Sequence, residues 1–65
     1  MDLSTQDILK TKLLDVQENV RDFQEYAKRT DDREVIETFR KFANEAAMEA
    51  KELQQLIDKY SQKDK

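Results

Sequence analysis

Residues 27–36, with the sequence AKRTDDREVI, contain the junction between two apolar stripes that are out of phase with each other. The first stripe ends and the second begins within this segment. On both sides of this segment, apolar residues recur every three or four positions, which is the period of one face of an α-helix. The first stripe consists of Leu9, Leu13, Val16, Val20, Phe23 and Ala27. The second stripe consists of Ile36, Phe39, Ala43, Ala46, Ala50, Leu53, Ile57 and Tyr60.

The phase of the two stripes distinguishes a hairpin from one unbroken helix, which a chain without glycine or proline could also form. If the first stripe continued beyond Ala27, it would next reach Thr30, Glu34, Glu37 and Lys41, none of which is apolar. The apolar face therefore ends at this junction. Because a short link leaves consecutive helices side by side, the pattern predicts an all-α, antiparallel two-helix hairpin.

The predicted boundaries make residues 1–65 a single domain. We expect a first helix over about 5–29, a turn at 30–31, a second helix over about 32–60 and a frayed polar tail at 61–65. Ser4 or Thr5 can cap the first helix. Asp31 is expected to cap the second helix, with Glu34 three residues later completing a capping box.

Composition excludes several classes of function. The chain has no Cys and no His, so it lacks disulfides, thiolate metal ligands and the commonest general base. It has no Gly, so a glycine-rich phosphate loop is impossible. Twelve basic and fifteen acidic residues give a net charge of −3, without the basic stripe typical of nucleic-acid binding. No apolar run is long enough for a membrane span or signal peptide. We expect a cytoplasmic protein that is not an enzyme and has no cofactor.

The second helix carries an additional apolar row, Val35, Phe42 and Leu56, beside its main stripe. A face this wide can contact two neighbours, and a lone hairpin supplies only one. The sequence therefore predicts a homodimer in which two hairpins form a four-helix bundle, the commonest closed symmetry being two-fold. The residues expected in the core or the interface are Leu13, Val16, Val20, Phe23, Val35, Phe39, Phe42, Ala46, Leu53, Leu56 and Ile57.

Glu49 is the one charged residue in this additional row. Glu45 and Glu52 lie on the same side of the helix, so three carboxylates are candidates for a hard-cation site built from two copies of the chain. The simpler interpretation is a glutamate at the rim, whose aliphatic stem covers apolar surface while its carboxylate reaches water or a lysine of the partner helix. We favour the simpler interpretation and expect no metal site.

The segments Tyr26-Ala27, Asp31-Asp32, Glu34-Val35-Ile36 and Phe42-Ala43-Asn44-Glu45, with Phe39, Ala50 and Leu53, carry a family resemblance. Over residues 13–57 the chain resembles the repeating half of rubrerythrin-like, ferritin-like proteins. That family packs two such hairpins around a di-iron centre, each half supplying a Glu from its first helix and a Glu-x-x-His from its second. The equivalent positions here are Val16, Ala46 and Glu49, of which two have no donor atom and the third is Glu where His is expected. The resemblance therefore implies the bundle with too few ligands to hold two irons.

These observations lead to one functional expectation and two alternatives. We expect a small, non-enzymatic structural or interaction module that self-associates through the wide face of its second helix. The first alternative is a ferritin-like metal-binding protein that uses Glu49 with Glu45 or Glu52. The second alternative is a regulatory subunit that docks its apolar face into a groove of another protein.

Overall fold

The computed structural model describes residues 4–63 of the chain, with side chains described through residue 61. This part consists of two α-helices, α1 (Thr5–Ala27) and α2 (Arg33–Lys63), and contains no strand. Phe23 contacts Phe39 near the turn, and Gln6 donates a hydrogen bond to Ser61 at the open end. These contacts show that the two helices run antiparallel, and the predicted all-α hairpin is confirmed.

The start of α1 is set by Ser4. Its hydroxyl oxygen accepts a hydrogen bond from the backbone N–H of Asp7 at 3.1 Å, and its carbonyl accepts one from the N–H of Ile8 at 3.0 Å. A serine outside the helix thus satisfies an N–H group that has no partner within the first turn. Of the two caps allowed by the sequence, Ser4 is the one used.

The end of α1 comes two residues before the predicted position 29. The N–H of Lys28 donates to the carbonyl of Glu25 at 3.1 Å, and the N–H of Arg29 donates to that of Tyr26 at 3.0 Å. These bonds span three residues instead of four, so they tighten the last turn and end the helix at Ala27. The turn therefore covers 28–32 instead of 30–31, and no described residue in it needs a positive φ angle.

The cap of α2 is Asp32, one residue later than predicted. Its carboxylate accepts a hydrogen bond from the N–H of Val35 at 3.1 Å, which is the bond expected of an N-cap residue. The N–H of Asp32 itself donates to the hydroxyl oxygen of Thr30 at 3.2 Å. In a capping box that N–H would bind a glutamate side chain. Here the Thr30 hydroxyl accepts that bond, and the Asp32 carboxylate, in place of the predicted Asp31, caps the helix.

The two neighbouring aspartates give a direct test of this assignment. We expect Asp32→Ala to lower the free energy of unfolding by about 1 kcal/mol, because the N–H of Val35 loses its acceptor. Asp31→Ala removes the same charge and is the matched control, with an expected change within about 0.5 kcal/mol, as at ordinary surface positions. Urea denaturation followed by circular dichroism measures both values. A larger loss in Asp31→Ala would contradict the assignment.

The second helix extends to Lys63 and so includes residues 61–63, which the sequence analysis assigned to a frayed tail. Polar residues without glycine or proline do not interrupt the helical hydrogen bonds, and the amide of Gln6 donates to the Ser61 hydroxyl at 2.8 Å. The remaining tail positions, 64–65, lie outside the described residues. Neither described helix combines the length and the apolar composition required to cross a membrane.

The core of the hairpin is small. Within the described residues, the buried apolar side chains are Val16, Ala27, Ala43, Ala46 and Ile57, and three of these five are alanines. The molecule measures 50 × 24 × 11 Å, and its smallest dimension equals the diameter of a single helix with side chains. Because the hairpin is one helix thick, both of its broad faces meet solvent.

Candidate interaction surface

The candidate surface is built on the row beside the main stripe of α2, and we call Val35, Phe42, Glu49 and Leu56 the flanking row. The spacing of seven residues places them along one side of the helix. Val35 is half-buried, whereas Phe42 and Leu56 expose 38% and 43% of their surface. Glu49 is exposed. The row therefore presents apolar surface near the turn and near the open end, with one carboxylate between them.

The first helix contributes to the same side of the hairpin. A shallow groove on this side is lined by residues of both helices. They are Lys12 and Val16 of α1 and Glu49, Glu52, Leu53 and Leu56 of α2. Asn19 and Tyr26 follow Lys12 at intervals of seven residues and continue its row toward the turn. We call the broad face formed by the flanking row and these three α1 residues the flanking face.

Three phenylalanines link the core to this face. The ring of Phe23 meets those of Phe39 and Phe42, with centroid distances of 5.4 Å and angles of 66° and 62° between the ring planes. Both arrangements are the edge-to-face geometry that aromatic pairs prefer. Phe23 and Phe39 are half-buried, and Phe42 is partly covered by Phe23 while the rest of its ring opens onto the flanking face.

The opposite broad face is more polar. One shallow groove there is lined by Gln17, Val20, Arg21, Ala47 and Ala50. A second groove lies nearer the turn and is lined by Gln24, Ala27, Lys28 and Arg40. Amide and cationic side chains line both grooves, and among their lining residues Ala47 is the one apolar residue outside the main stripes. The two faces of the hairpin therefore differ, and the flanking face is the apolar one.

The candidate metal ligands Glu45, Glu49 and Glu52 are all exposed. Across the part of the chain that the structure describes, no three acidic side chains come close enough together to hold a metal ion. Glu49 and Glu52 instead line the groove that also contains Lys12. Of the positions that the family resemblance equates with iron ligands, Val16 and Ala46 are buried apolar residues without donor atoms.

The residues predicted for the core or the interface fall into three groups. The buried ones are Val16, Ala46 and Ile57. The half-buried ones are Leu13, Val20, Phe23, Val35, Phe39 and Leu53. The exposed ones are Phe42 and Leu56, both of which belong to the flanking row. The first two groups line the contact between α1 and α2, apart from Val35. Of the exposed pair, Phe42 contacts Phe23 of α1 with part of its ring, and Leu56 lines a shallow groove with Val16 of α1.

The sequence analysis did not single out three exposed apolar residues. Ile8, Leu14 and Met48 expose 53%, 62% and 69% of their surface. None of them belongs to a stripe, so helical periodicity could not have identified them. Leu14 and Met48 lie away from the flanking face, and single exposed apolar residues are common on protein surfaces. Ile8 precedes Lys12 by one turn and extends the apolar surface near Leu56.

Comparisons of the chain with protein families, with characterised proteins and with solved structures find no match.

Proposed function

We propose that the chain is a small, non-enzymatic interaction module that works as a homodimer, in which two hairpins stack their flanking faces to form a four-helix bundle. The ferritin-like resemblance belongs to this proposal, since that family builds its bundle from two such hairpins. The flanking face is the contact surface in this arrangement. Phe42 and Leu56 of each chain then lie between the two hairpins, away from water.

The observation that carries the proposal is the amount of surface that one hairpin leaves exposed. The chain exposes 5589 Å². A compact monomer of 7.8 kDa is expected to expose about 4,400 Å², so roughly 1,200 Å² is in excess. A standard protein interface removes about 800 Å² from each partner. Pairing two hairpins therefore accounts for most of the excess.

The size of the core supports the same conclusion. Within the described residues no large side chain is fully buried, and alanines supply three of the five buried apolar residues. Domains of this length usually need disulfides, a metal or oligomerisation to be stable, and this chain has no cysteine. A second copy would cover the half-open ring of Phe42 and the exposed side of Leu56, adding apolar burial at the places where the hairpin lacks it.

Thermal unfolding over a range of protein concentrations tests this proposal. For a dimer whose folding and association are coupled, we expect the Tm to rise steadily with concentration, because dilution removes the partner that stabilises the folded chain. Circular dichroism follows helix content and gives the midpoint at each concentration. A Tm that stays constant over a hundredfold dilution would contradict the proposal and favour docking on a different protein.

A further inference from the structure

Two stackings of the flanking faces satisfy two-fold symmetry, and they differ in which helices meet. If the symmetry axis crosses the helices at right angles, α2 packs on the partner's α2 and the two turns lie at opposite ends of the bundle. If the axis runs along the helices, α1 packs on the partner's α2 and both turns lie at the same end. Both stackings bury the same face, so apolar area does not decide between them.

The charges on α2 disfavour the first stacking. Glu45, Glu49 and Glu52 are exposed near the middle of the hairpin, on the side of the flanking row. An axis that crosses α2 at its middle would bring these three carboxylates against the same three of the partner. Placing like charges against each other across an interface is unfavourable, and six exposed carboxylates, three from each copy, would meet here. Lys51 lies between Glu49 and Glu52 in the sequence but points to another side of the helix, and Lys59, which lines a groove with Glu52, lies two turns beyond it, outside the cluster.

The charges on α1 favour the second stacking. At the level of Glu49 and Glu52, the same face carries Lys12, and the three residues line one groove of the hairpin. Asp15 lies one turn farther along α1, so this strip of α1 is neutral overall and the facing strip of α2 is acidic. Rotation about an axis along the helices leaves each residue of the partner at the same height along the bundle as in the first copy. It therefore places Lys12 opposite the carboxylates of the partner.

The end near the turn is also complementary in this stacking. Tyr26 exposes 53% of its surface and lies about one turn beyond Phe23, which contacts Phe39 and Phe42. Tyr26 therefore lies at the same height along the hairpin as Val35 and Phe39 of α2. With the levels preserved, the exposed ring of Tyr26 meets the apolar surface at the partner's Val35 and Phe42, where an aromatic ring can be buried with its hydroxyl at the edge.

Resting on the proposed homodimer, we infer that α1 packs on the partner's α2, with both turns at one end and Lys12 facing the partner's Glu49 and Glu52. The pairing of Lys12 with these carboxylates selects this stacking over the one that joins the two α2 helices. The polar centre of the flanking face thus determines orientation, and the apolar residues at its two ends supply the contact area.

A single spin label in the turn tests the orientation. The chain has no native cysteine, so Asp31→Cys gives one labelling site, at an exposed residue that does not cap α2. Pulsed electron paramagnetic resonance on the dimer of the 65-residue chain should give a distance between the two labels of roughly 20–30 Å, or two to three helix diameters. A separation of about 45 Å, the length of the 31-residue α2, would overturn this stacking and leave the dimer intact. A sample that sediments as a monomer would overturn the homodimer itself.

Charge reversal tests the role of Lys12. We expect Lys12→Glu to raise the dimer Kd about tenfold, because each copy then places a carboxylate against the partner's acidic strip. Arg40→Glu is the matched control, since it makes the same charge change on the opposite face and should leave the Kd nearly unchanged. Adding Glu49→Lys to Lys12→Glu should restore association. Equal effects of the two single reversals, or no restoration in the double variant, would contradict the assigned pairing.

Discussion

Phe23→Ala is expected to abolish the folded state of the chain at 25 °C. Phe23 is the ring that contacts both Phe39 and Phe42, and no other side chain joins the two helices through two aromatic contacts in the described structure. Truncating a fully buried phenylalanine costs about 3–5 kcal/mol, and for the half-buried Phe23 we expect the lower end of this range, about 3 kcal/mol. A domain of this size has a core that rarely supplies more than about 3–5 kcal/mol. The small core of alanines, Val16 and Ile57 cannot compensate for the loss.

Circular dichroism measures this effect as loss of the helical signal, and Leu14→Ala is the control. Leu14 lies on the same helix and exposes 62% of its surface, so removing its side chain leaves the contact between the helices unchanged. Alanine is also a strong helix former, so α1 itself is not weakened. We expect Leu14→Ala to melt like the wild type. A cooperative melt of Phe23→Ala near the wild-type Tm would show that the aromatic cluster does not hold the hairpin together.

The second large effect is expected for Leu56→Glu, which should convert the dimer into a monomer. Leu56 exposes 43% of its surface in the single hairpin, so a charge is tolerated there until a second hairpin covers it. Burying a charge without a partner costs about 3–5 kcal/mol, and two-fold symmetry introduces one such charge from each chain. Because each 1.4 kcal/mol corresponds to a tenfold change in affinity, we expect the Kd to rise at least a hundredfold.

Met48→Glu is the control for this substitution. Met48 also belongs to α2 and exposes 69% of its surface, but it lies away from the flanking face. Both substitutions replace an exposed apolar residue with a carboxylate and change the net charge equally. We expect Met48→Glu to sediment as a dimer and Leu56→Glu to sediment as a single chain. If both variants have the same mass, Leu56 is not part of the interface.

The two apolar stripes were sufficient to predict the hairpin, because the polar residues that follow Ala27 in phase leave no continuous apolar face across the junction. The helix ends were not predictable to the residue. Thr30, Asp31 and Asp32 can all act as caps, and only the geometry of the turn decides that the Asp32 carboxylate reaches the N–H of Val35. Periodicity places side chains on a face and does not encode these local hydrogen bonds.

Burial along the stripes was also only partly predictable. Phe39 and Ala43 are members of the same stripe, yet Phe39 is half-buried and Ala43 is 4% exposed. The difference arises because two helices form a layer one helix thick, in which a small residue is covered by its neighbours and a large ring extends past them. The flanking row was identified from its spacing, whereas the position of Lys12 beside Glu49 required the pairing of α1 with α2.

Sedimentation equilibrium of the wild-type chain at micromolar concentration tests the homodimer most directly. The proposed bundle predicts a single species with twice the 7.8 kDa mass of the chain, dissociating only on strong dilution. A stable, helical species with the mass of one chain across the whole concentration range would contradict the homodimer, and with it the assignment of the flanking face to a second copy.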